Sequence, residues 1–89
     1  MEIMDTNLIM AFNRIRKDAA NAICYLIENK SGTLSQIAAA RGIEIHNMFS
    51  QIKVLNNHGI IVKVTIGGKK TYVLAENWQE MLIQWDGKK

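Results

Sequence analysis

Residues 33–74 read TLSQIAAARGIEIHNMFSQIKVLNNHGIIVKVTIGGKKTYVL, and this stretch decides the fold. Positions 34–41 form a short, Ala-rich apolar helix that Gly42 breaks. Thr33 caps it, and Gln36 three residues on completes a capping box. A second helix is expected over 44–58, with Ile45, Met48, Phe49, Ile52 and Leu55 at helical spacing on one face. Gly59 follows where a left-handed terminator belongs. Positions 60–66 and 71–74 are rich in β-branched residues and predict two strands, joined by Gly67-Gly68-Lys69-Lys70. The order is therefore helix, turn, helix, and a hairpin with a cationic tip.

That order resembles a winged helix-turn-helix. The run Met48, Ile52, Leu55, Gly59, Ile60, Ile61 is similar to the second helix and first wing strand of MarR- and ArsR-like DNA-binding domains. Gly67-Gly68-Lys69-Lys70-Thr71-Tyr72 resembles their wing. The resemblance implies a helix-turn-helix over 33–59, a wing over 60–74, double-stranded DNA as partner, and transcriptional regulation as the commonest role. The spacing from Phe49 through Gly59 to the Lys-rich wing also looks similar to the TubR adaptors of plasmid and phage partition. That second resemblance implies a centromere-binding adaptor with a filament-forming partner, whose recognition helices help form the dimer.

Composition narrows the classes. Eighty-nine residues make one domain, small enough that a partner surface would supplement its core. The apolar fraction of 48% suits a globular chain, and a mean hydropathy of −0.03 argues against a membrane protein. No apolar run approaches the roughly 20 residues needed to span a bilayer. The acidic start MEIMDTNLIM lacks the basic flank of a secretion signal, so a cytoplasmic location is expected. The single cysteine, Cys24, excludes an internal disulfide and is expected as a buried thiol within AICYLI.

Net charge is +3, but its distribution says more. From Ile45 to Ala75 stand four cations, Lys53, Lys63, Lys69 and Lys70, and no carboxylate. A surface cleared of anions suits a polyphosphate, because each neutralised phosphate releases counterions. The blander alternative is an ordinary solvated face.

Upstream, Ile3, Leu8, Ile9, Phe12 and Ile15 predict a first helix over 6–17, with Asp5 or Thr6 as cap. Arg14, Arg16 and Lys17 suit its C-terminus, or form a second phosphate-contacting patch. Asp18 is a candidate cap for a helix over 19–29 with Ala20, Ile23, Cys24 and Ile27 inward, ended by residues 29–32. Away from the apolar stripe of the 44–58 helix lie His46, Asn47, Ser50, Gln51 and Lys53. Asn and Gln pair with adenine in the major groove, while Ser and Lys meet phosphate or guanine. Lys63, Lys69 and Lys70 would let the wing straddle a phosphate backbone. Val54 on the polar face, and the wide stripe bearing Ile45 and Phe49, are either core or a contact with a second subunit.

A last helix is expected over 76–85, its stripe Trp78, Met81, Leu82 and Trp85 exceeding what a small core needs. With Phe12, these residues are the candidate homodimer interface, since aromatics are enriched at interfaces. Enzyme chemistry is not expected. His46 and His58 stand twelve apart, Cys24 is distant, and no ligand-spaced cluster or phosphate-cradling loop occurs, so neither metal nor cofactor is implied. The expectation is a mainly α chain with a small β-hairpin: about five helices and a two- or three-stranded wing. It would bind DNA as a homodimer, most simply as a repressor. The rivals are a partition adaptor and a winged helix used only for protein contact.

Overall fold

A computed structural model describes residues 6–87, so the parts expected of Ile3 and Asp5 lie outside the described residues. The chain runs α1 (Thr6–Arg14), α2 (Lys17–Asn29), β1 (Ser31–Gly32), α3 (Leu34–Arg41), α4 (Ile45–Asn57), β2 (Ile61–Ile66), β3 (Lys69–Leu74) and α5 (Trp78–Gly87). It is mainly helical, with a small antiparallel sheet in the order β1-β3-β2, an α+β arrangement in the winged-helix layout.

The local signals in the 33–74 stretch form as expected. Thr33 Oγ1 accepts from the Gln36 amide at 3.2 Å, and Gln36 Oε1 accepts from the Thr33 amide at 3.0 Å. Two otherwise unpaired backbone donors are thereby satisfied. Gly42 is left-handed at φ 63°, which turns the chain while the Ile43 amide bonds back to Ala38 O. Ile43 is half-buried against the core. The hairpin is tighter than expected. Gly67 and Gly68 alone make the turn, both at positive φ, so Lys69 and Lys70 belong to β3 and pair with Ile66 and Thr65.

The N-terminal half departs from expectation in three ways. First, α1 stops at Arg14, and Arg16, extended at φ −63° and ψ 145°, stands at the N-cap of α2 in place of Asp18. Asp18 lies inside the first turn, where a carboxylate suits the helix dipole. No Gly or Pro marks this corner; burial of Ile15 in the core accompanies it. Second, the inward face of α2 is Ala19, Ala22, Ile23 and Leu26. Ile27 is exposed, and Ala20 and Cys24 are only half-buried. Lys17, Asp18, Asn21, Glu28 and Asn29 share one arc and leave a broad apolar face, so periodicity admits more than one inward phase; packing on α3, α4 and β3 selects this one. Third, Ser31 and Gly32, expected only to end the helix, form β1 opposite Val73 and Tyr72. A Cβ at Gly32 would lie 2.6 Å from Tyr25 Cε1, so the close approach of strand to helix requires glycine.

One apolar cluster joins α1, α2, α3, α4, the sheet and α5. Met48, Ile52 and Leu55 of α4 reach it, as do Ile60, Ile61 and Tyr72. Leu82, expected at a dimer surface, is fully buried inside the chain. The aromatics of α5 are partly engaged within the chain. Trp78 meets Phe12 of α1 edge-to-face at 6.1 Å, and the Trp85 ring lies 4.7 Å from that of His58. Phe12, Trp78, Met81 and Trp85 are all partly buried against the core, leaving a rim rather than a full aromatic face.

Candidate nucleic-acid interface

With Met48, Ile52 and Leu55 turned inward, the 100° step of a helix sorts the remaining residues of α4 into rows four apart. One row is Ile45, Phe49 and Lys53, all exposed. The next is His46 and Ser50, exposed, with Val54 half-buried at its end. The third is Asn47, exposed, and Gln51, half-buried. The expected polar residues thus share the outer surface of α4, but Ile45 and Phe49, placed on the inward stripe, share it too. Each is 47% exposed. The inward arc of a single helix is filled by the three residues that reach α2, α3 and β2, and the flanking pair is left about half exposed.

Individual side chains are partly committed. Ser50 Oγ donates to His46 O at 3.2 Å, so its hydroxyl offers acceptor capacity outward. His46 Nε2 lies 3.2 Å from Glu44 Oε1, which brings one carboxylate to the start of α4, just outside the acid-free window. At the other end, the Asn57–Gly59 exit is closed by His58, whose Nδ1 lies 2.9 Å from Val54 O. His58 therefore finishes the helix and packs on α5, away from the outer rows.

Arg16, expected at the C-terminus of the first helix or in a second phosphate-contacting patch, stands at the N-cap of α2. It lines an open surface cleft of about 370 Å³ together with Asp18, Asn47, Ser50 and Gln51. The α1–α2 corner thus sets a guanidinium beside the amide-bearing row of α4. A cluster of Arg14, Arg16 and Lys17 was visible in the sequence, but only the corner brings Arg16 beside α4, and Asp18 comes with it. Arg41, the last residue of α3, is instead engaged by Glu28 at 3.4 Å.

In the hairpin, register decides where the lysines point. Cross-strand partners share a face, and residues two apart share it also. Lys63 opposite Tyr72 and Lys70 opposite Thr65 fall on one face; Lys69 opposite Ile66 falls on the other. All three lysines are exposed. The tip therefore presents cations to both sides, which suits straddling a backbone more than gripping one phosphate. Tyr72 is buried in the core and takes no part in the surface.

The pieces are amides and a hydroxyl on α4 with Lys53 on the neighbouring row, Arg16 and Asp18 beside them at the α1–α2 corner, and a hairpin with three exposed lysines. Hydrogen-bonding groups able to read base edges stand next to cations able to neutralise phosphate. Among the described residues no three His, Cys, Asp or Glu gather as a metal site, and no helix is long and apolar enough to cross a membrane. The sequence matches no protein-family model, and no curated protein is significantly similar to it.

Proposed function

We propose that this chain binds double-stranded DNA as a homodimer in the cytoplasm and regulates transcription, most simply as a repressor without cofactor or catalysis. One observation carries the reading. The outer surface of α4, the helix after the Gly42 turn, holds Asn47, Ser50, Gln51 and Lys53, and no carboxylate occurs from Ile45 to Ala75. In this reading α4 enters the major groove and the β2–β3 hairpin meets the flanking backbone through Lys63, Lys69 and Lys70. A two-fold dimer would match half-sites about one helical turn apart. For the dimer, the described surface offers exposed Ile9 and Met10 on α1, next to the partly buried rim of Phe12, Trp78 and Trp85.

The test is a titration of labelled fragments from the gene's own neighbourhood over a salt series, with wild type and Lys69→Ala/Lys70→Ala. Affinity should fall steeply with salt. The double variant removes four cations per dimer, so the slope of log K against log salt should flatten by up to about 3.6 if every one meets phosphate. Absence of binding at low salt would refute the proposal. A second reading, a partition adaptor, is favoured by the half-exposed Ile45 and Phe49, which would then join α4 to a second copy. Cooperative coating of repeat arrays and recruitment of a filament-forming protein would distinguish it from occupancy of one palindrome.

A further inference from the structure

The geometry points to Ile45 and Phe49 as the residues that select thymine in the major groove, making an A·T-rich duplex the preferred ligand. This inference rests on the DNA-binding reading above and deepens it. Thymine's C5-methyl is the one apolar group that a base pair presents in the major groove. A protein that reads it needs an apolar side chain uncovered on the helix that enters the groove. The described surface of α4 has two, four residues apart in one row, each 47% exposed. They lie in its first and second turns, the end that contacts base edges in helix-turn-helix docking.

What surrounds the pair argues for DNA as its occupant. The next residue in the same row is Lys53, so the apolar pair runs directly into a cation placed for phosphate. The neighbouring rows carry Ser50, Asn47 and Gln51, and Asn or Gln is the side-chain type that pairs with adenine, thymine's partner. Of the carboxylates nearby, Glu44 is turned to His46, and Asp18 lines the cleft beside Asn47, Ser50 and Gln51 together with the cationic Arg16. An apolar pair set among amides and a lysine complements a groove that offers methyl groups between phosphates. Neither residue supports the core, since Met48, Ile52 and Leu55 fill that role, and both can be truncated without opening a cavity.

The experiment uses the full chain and one bound fragment prepared in two forms, with thymine or with uracil, which differ only in the C5-methyl. Wild type should bind the uracil duplex about fourfold more weakly for each methyl covered, and about fifteenfold if each protomer covers one. Phe49→Ala should weaken binding to the thymine form and bind both forms alike, and Ile45→Ala should narrow the difference. Sedimentation of wild type and Phe49→Ala runs alongside. Equal wild-type affinity for the two forms would overturn the inference while leaving DNA binding standing. So would a Phe49→Ala variant that becomes monomeric yet keeps the full thymine preference, which would assign the row to a second copy. Failure of wild type to bind any duplex would refute the DNA-binding reading itself, and this inference with it.

Discussion

Replacing Leu82 by alanine separates two roles that the apolar stripe of α5 permits. Leu82 has no exposed surface within one chain and packs in the same cluster as Leu26, Leu55 and Ile60. Its truncation removes the buried γ-methine and two methyl groups and leaves a cavity between α5 and the rest of the core. Leucine-to-alanine changes of this kind cost about 2.7–5 kcal/mol, the larger values where the surroundings relax least. A domain of this size has a total stability of roughly 4–13 kcal/mol, so the variant loses a large share of it. At about 4–8 °C per kcal/mol, a loss of about 3 kcal/mol lowers Tm by roughly 12–24 °C. Thermal unfolding followed by circular dichroism at 222 nm measures this, at two protein concentrations a hundredfold apart. A core role predicts nearly the same loss at both concentrations, because the cavity lies inside each protomer. A loss below about 1 kcal/mol, or one confined to the concentration at which a dimer forms, would refute the assignment of Leu82 to the core.

Two further outcomes follow from particular contacts. Gly32→Ala would put a Cβ 2.6 Å from Tyr25 Cε1 and 3.2 Å from Ile37 Cγ1, so the Tyr25 ring or β1 must shift. Overpacking of this kind costs about 1–3 kcal/mol, and a urea titration should show a lowered midpoint with an unchanged m-value. Arg16→Ala leaves the core intact, because Arg16 is exposed at the α1–α2 corner. If its guanidinium meets one phosphate per protomer, the salt slope of DNA binding should flatten by about 1.8 per dimer. An unchanged slope would remove the corner from the interface.

The division between what could be read and what could not runs along the range of the interactions. Thr33 with Gln36, Gly42, Gly59 and the position, though not the two-residue length, of the hairpin turn at Gly67-Gly68 were legible because each acts through its own dihedral angles or a partner three residues away. The mixed polar surface of α4 was legible too, since Met48, Ile52 and Leu55 are spaced to face one way. Three features were decided elsewhere in the chain. The corner between α1 and α2 has no breaker residue, and it accompanies the burial of Ile15. The phase of α2, the pairing of Ser31-Gly32 with β3 and the full burial of Leu82 depend on which neighbouring element arrives to cover them. The same holds for the candidate interface. Sequence alone determined that lysines cluster and carboxylates are absent from Ile45 to Ala75. Only the tertiary structure set Arg16 beside Asn47 and Gln51, and left Ile45 and Phe49 about half exposed. The physical reason is that backbone conformation is governed by energies local to a few residues. Burial is a property of surfaces brought together from distant parts of the chain.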